Sequence, residues 1–249
     1  MLKLMKFEMI HSYRSFVMVF GIFLLACFVV PFLPYDISAI GASFLVFAVF
    51  GIAIAIFVTI IRNYNNSMFK KPGYLTLTLP VSTHELIIAK VLSAVLWLFM
   101  SSIVLLIGLM IIILTVLAVE GYSIDFNEIF ISLSEALKYF NFNNFLVVFA
   151  SFVLEAILTI LGFFALITIV QTKYTRNHKT ALGFLIFILY TFVSVLIVDQ
   201  FGLAEVANGF MYINGNLQID WLSWGISAVQ IIIFYFVTIF VIDKKIELE

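Results

Sequence analysis

The chain has 249 residues, of which 64% are hydrophobic and 11% charged, with a formal net charge of −1. Soluble domains carry about a quarter of charged residues, so this composition excludes an ordinary soluble protein. A single cysteine, Cys27, excludes an intrachain disulfide.

The pattern predicts an all-α integral membrane protein, a single six-span domain over residues 1–249. Apolar runs of roughly 20 residues cross a hydrocarbon core of about 30 Å. They must be helical there, because backbone groups find no water partner in lipid. In chain order, the spans predicted are Ser15–Phe32, Ser38–Ile61, Leu86–Val119, Asn144–Val170, Thr180–Val198 and Trp221–Ile242. Ahead of the first, Met1–Tyr13 mixes Lys, Met, Phe and Ile as an interfacial helix would. Leu24-Leu25-Ala26-Cys27 resembles a lipoprotein cleavage box, but the run continues apolar through Phe28–Val30 and no polar tether comes after it. The reading preferred is a cysteine buried in the first span. No small-residue site closes that run for signal cleavage.

Gly51 and Ala55 in the second span form a small-xxx-small pair that permits close helix approach. Between the second and third spans the chain turns polar from Arg62 to Lys90. Pro72-Gly73 breaks any helix there, Pro80 ends the short run from Tyr74, and Ser82 or Thr83 with Glu85 marks a new helix start. Tyr74–Leu79 suits either a short helix docking into a partner's groove or a loop resting on the membrane interface.

Beyond the third span, Phe126, Ile129, Phe130, Leu133 and Leu137 recur at helical spacing, with Asp125 and Glu128 as a capping pair. They predict an amphipathic helix lying at the outer interface, a candidate gate or simply a cap on the spans. In the fourth span Ser151, Glu155, Thr159 and Gly162 share one face, and Glu155 is the sole ionisable side chain well inside a span. Burying such a charge costs about 2.5–3.5 kcal/mol on insertion scales. With Gln230 and the weaker stripe of Ser223 and Ser227 in the sixth span, these residues are candidates for a translocation pathway. For Glu155 the alternative is an acid near the outer end of the span that is hydrated locally, and for the Ser/Gln stripe helix packing is the preferred reading. Gly and Asn between Asp199 and Asp220 suit a short re-entrant or interfacial hairpin.

Alternating the loops across a membrane sorts the charges. Lys3, Lys6, Arg14, Arg62, Lys70, Lys71, Lys90, Lys173, Arg176, Lys179, Lys244 and Lys245 fall on one side. Lys138 alone stands on the other, among acids such as Asp36, Asp125, Glu128, Asp199 and Asp220. Lys/Arg bias in short loops marks the cytoplasmic side, so both termini are expected there and the span count is even. There is no Gly-Lys-Ser/Thr for a phosphate-binding loop, and His84-Glu85 lacks the second His of a zinc protease motif. His11, His84 and His178 lie far apart at span ends. No catalytic residue, metal ligand or cofactor is expected in this chain.

Gly73-Tyr74-Leu75, then Leu79-Pro80-Val81-Ser82 and Lys90 entering the third span, resemble the corresponding segment of permeases of type II bacterial ABC exporters. The resemblance covers the chain as six spans, but its motif identity is confined to this loop. Where members carry acids before the glycine, this chain has Lys70, Lys71 and Pro72. The resemblance implies a coupling helix at about Phe69–Leu79, with Phe69, Gly73, Tyr74, Leu75, Leu77, Leu79 and Pro80 meeting the ATPase. It implies two ATPase subunits holding ATP and Mg, a second permease copy in a homodimer, and residence in a bacterial cell membrane. Amphipathic peptides, such as phenol-soluble modulins, or other hydrophobic compounds would be the substrates, and nucleic acid is not an expected partner. The alternatives are a secondary transporter or channel working without ATP, and an ABC-associated subunit for resistance or sensing.

Overall fold

The computed structural model describes residues 2–32, 35–69, 81–119, 131, 134, 141–171, 185–186, 188–189, 192, 210–213 and 216–245. Five long helices dominate these residues: α1 (Leu2–Val29), α2 (Tyr35–Phe69), α3 (Thr83–Val119), α4 (Phe142–Val170) and α5 (Trp221–Lys245). Among the described residues, four stretches are long and apolar enough to cross a membrane, namely Lys3–Phe32, Thr83–Val119, Phe142–Val170 and Trp221–Lys244. Only 11% of the most apolar window of α3 is buried within the protein, against 39% for α4, so α4 is the more interior helix. The chain is a helical membrane protein. The predicted fifth span lies largely outside the described residues, although Leu185, Ile186, Ile188, Leu189 and Phe192 within it are helical. The predicted outer amphipathic helix also lies outside them, apart from Ile131 and Ser134, both helical.

The N-terminal segment and the first span are one uninterrupted helix, α1, closed by a 3-10 turn at Val30–Phe32. At 1.5 Å per residue its 28 residues run about 42 Å, longer than the hydrocarbon core. The next helices start where caps are available. Ser82 Oγ accepts from the Glu85 amide at 3.3 Å. Asn141 Oδ1 accepts from the Asn143 amide at 3.0 Å, and Asp220 Oδ2 from the Ser223 amide at 2.8 Å. Each relieves amide groups that a first helical turn leaves unpaired.

The chain divides into two compact units. One contains Leu2–Arg62 and Leu96–Phe140; the other contains Asn63–Val95 and Asn141–Glu249. In the first, Phe16 stacks on Trp97 with ring centroids 4.2 Å apart. Gly108 on α3 lies against Phe23 and Cys27, and a Cβ there would overlap the Phe23 ring and come within 3.2 Å of the Cys27 sulfur. Cys27 is fully buried, which matches the reading of a cysteine packed inside the first span. The predicted role of Gly51 is corrected: it is exposed, and a Cβ added there meets nothing within 4 Å. Close approach in this unit is made at Gly108 instead.

In the second unit α4 and α5 pack side by side. Asn144 Oδ1 accepts from the Leu217 amide at 2.9 Å. Glu155 Oε1 accepts from Ser227 Oγ at 3.2 Å, and Gly162 faces the Phe234 ring, 3.6 Å from where a Cβ would sit. The sequence separations are 73, 72 and 72 (217−144, 227−155, 234−162). A constant separation means that the two helices run parallel, in the same direction. A hairpin precedes α5, with β1 (Phe210–Ile213) paired antiparallel to β2 (Asn216–Ile219). The pair between the strands, Asn214-Gly215, is the sequence best suited to a two-residue hairpin turn. The expected hairpin is present, and Asp220 passes the chain from it directly into α5.

Candidate functional site

The polar loop after α2 is held by two stems, the end of α2 and the start of α3. Tyr64, near the end of α2, is 2% exposed. Its ring stacks on Phe164 of α4 at 3.8 Å and meets the edge of Phe69 at 5.9 Å. Its hydroxyl lies 2.8 Å from Thr168 Oγ1. Thr168 already donates its one hydroxyl hydrogen to the Phe164 carbonyl at 2.6 Å, so Tyr64 donates to Thr168. Burial pushes the Tyr64 hydroxyl well above its ordinary pKa, with the Thr168 bond opposing. Beside it, Gln171 Nε2 donates to Asn65 Oδ1 at 2.9 Å.

The second stem joins the same cluster. Lys90 is 4% exposed and its ammonium donates to Ser67 Oγ at 2.6 Å. Ser67 in turn donates to the Tyr64 carbonyl at 3.2 Å. A lysine in so apolar a place needs acceptors for its charge, and these hydroxyl and carbonyl oxygens supply a path of them. At the first turn of α3, Thr83 Oγ1 donates to Asp243 Oδ1 at 2.8 Å. His84 Nδ1 hydrogen-bonds the Tyr235 hydroxyl at 2.9 Å, also on α5. Both stems are therefore bolted to the far ends of α4 and α5. Of the residues predicted to touch an ATPase, Phe69 is half-buried against the Tyr64 ring. Gly73, Tyr74, Leu75, Leu77, Leu79 and Pro80 lie outside the described residues.

The predicted pathway stripe falls on the α4–α5 seam. Glu155, near the middle of α4, is exposed and bonded to Ser227, which is buried. Ser151 is 4% exposed and its Oγ is buried without a hydrogen-bond partner. Thr159 and Gln230 are half-buried. The structure thus brings Glu155 and Ser227 together from two predicted stripes, and puts Gly162 to use as a packing contact. The gate residues Phe126, Ile129, Phe130, Leu133 and Leu137 lie outside the described residues. Among the described residues no three His, Cys, Asp or Glu side chains converge on a metal-sized site. Nothing in the sequence singles out Tyr64 and Thr168 as partners, since they lie 104 residues apart. No protein-family model, curated protein or solved structure matches the chain.

Proposed function

We propose that the chain is the membrane-spanning subunit of an ATP-driven exporter in a bacterial cell membrane, with both termini cytoplasmic. A separate ATPase, two copies per complex, holds ATP and Mg and docks on the Phe69–Pro80 segment. A second copy of the chain completes the pathway for amphipathic peptides or other hydrophobic substrates. One observation supports this reading above the others: the stems of the Arg62–Lys90 loop are tied to each other through Lys90–Ser67 and fixed to α4 and α5 through Tyr64–Thr168, Thr83–Asp243 and His84–Tyr235. A loop mounted in this way passes a push on its tip to the helices that carry Glu155. A loop merely resting on lipid has no need of such anchors.

The test is recruitment. Co-expressed with the ATPase encoded beside its gene, the chain is expected to copurify with it, and deletion of Gly73–Leu79 is expected to abolish the association. Association that survives this deletion overturns the assignment of the loop. A carrier working without ATP is the rival, and the polar seam at Glu155 is the observation in its favour. Transport by the chain reconstituted alone would establish that rival.

A further inference from the structure

Glu155 has the surroundings of a ligand site rather than of a packing contact. Its Oε1 accepts from Ser227, yet the residue stays exposed at the rim of the α4–α5 seam. One turn earlier on the same side of α4, the Ser151 hydroxyl is buried with no hydrogen-bond partner. Native interiors rarely tolerate such a group, so it marks a place where a donor or acceptor from elsewhere is welcome. Phe145, Phe149 and Phe152 form an exposed row on α4, spaced i, i+4 and i+7, and Glu155 comes three residues after the last. The Phe145 and Phe149 rings stack with centroids 6.0 Å apart. The Glu155 carboxylate therefore stands at one end of an apolar strip, and the orphan Ser151 hydroxyl is buried one turn back on the helix, alongside it.

We propose that this rim binds the primary ammonium group of an amphiphile. Glu155 and Ser151 accept hydrogen bonds from the ammonium, and the apolar tail lies along Phe152, Phe149 and Phe145. An ammonium carries three donors and no acceptor, which complements a carboxylate and a hydroxyl. A hard inorganic cation would instead want a closed shell of several oxygens, and would make no use of the phenylalanine row. The proposal rests on the reading of this stripe as part of the pathway, and it names the chemical group that the pathway accepts.

The test uses the full chain in phosphatidylcholine nanodiscs, titrated calorimetrically with dodecylammonium, dodecyltrimethylammonium and dodecanol. Dodecylammonium is expected to bind saturably and more tightly than either comparator. Glu155→Gln is expected to weaken it by about tenfold or more, as loss of a charge-assisted bond does. Ser151→Ala is expected to weaken dodecylammonium but not dodecyltrimethylammonium, which has no N–H to donate. Glu155→Asp keeps the charge and is expected to keep the binding, which separates recognition from a folding defect in the Gln variant. Equal binding to wild type and Glu155→Gln, or dodecanol binding as tightly as dodecylammonium, overturns the proposal. No ATPase enters this experiment, so its failure leaves the ATP-coupled reading standing, and failed ATPase recruitment leaves the ammonium site standing.

Discussion

Tyr64 and Thr168 act as a pair in which the two partners are not equivalent. Replacing Tyr64 by Phe removes a donor but leaves Thr168 bonded to the Phe164 carbonyl. Replacing Thr168 by Val strands the Tyr64 hydroxyl in a site where it is 2% exposed. The expected loss is about 1 kcal/mol for Tyr64→Phe and about 1–3 kcal/mol for Thr168→Val. Thermal unfolding in detergent checks this order, and the double variant should cost less than the sum of the two. Asp220 offers a test by pH. The Ser223 hydroxyl, and after it the Ser223 and Leu222 amides, hold its carboxyl below the ordinary value against the effect of burial. A lowered folded value means that the stabilisation is present above the ordinary pKa of about 4 and is lost as pH falls through the folded one. Asp220→Asn retains a good capping oxygen without a charge. Its acid unfolding is expected to begin from a lower starting stability and to fall less steeply below about pH 4 than that of the wild type.

Between elements, contact is decided by which small residue meets a neighbour. Gly108→Leu drives a side chain into Phe23 and Cys27, and overpacking of this kind costs about 1–3 kcal/mol. Gly51→Ala meets no neighbour and removes a flexible residue from a helix, so it is expected to be neutral or to stabilise by about 0.5–1 kcal/mol. Unfolding midpoints of the two variants should move apart. The Gly51-x-x-x-Ala55 spacing is the better packing motif on paper, because a helix that is apolar all round carries no periodic sign of its buried face. Local chemistry is far more readable. The Ser82 cap, the hairpin with its Asn214-Gly215 pair, and the polar residues of the α4–α5 seam can all be found by scanning short windows. Tyr64–Thr168 and Lys90–Ser67 cannot, since each joins segments whose proximity only the tertiary packing decides.

At the scale of the whole molecule, the end of α2, the start of α3 and the far ends of α4 and α5 meet at one level through Tyr64–Thr168, Lys90–Ser67 and Thr83–Asp243. The orientation proposed above from the Lys/Arg distribution would put these same four segments on one side of the membrane. The side itself can be tested because the chain has a single cysteine, Cys27, and it is buried. In a Cys27→Ala background, Lys138→Cys is expected to react on intact cells with a membrane-impermeant maleimide, and Lys71→Cys to react only after lysis. The opposite pattern would invert the orientation.

The parallel course of α4 and α5 also constrains how the polypeptide threads the bilayer. Two consecutive crossings joined by a simple loop must travel in opposite senses, as the strokes of a zigzag do. These two travel in the same sense, so the chain leaving α4 at Val170 must return to the starting side before Trp221 begins α5. For two helices that both cross, that return is itself a passage through the hydrocarbon. By sequence, Thr180–Val198, which holds no charged residue, has the length that such a passage needs.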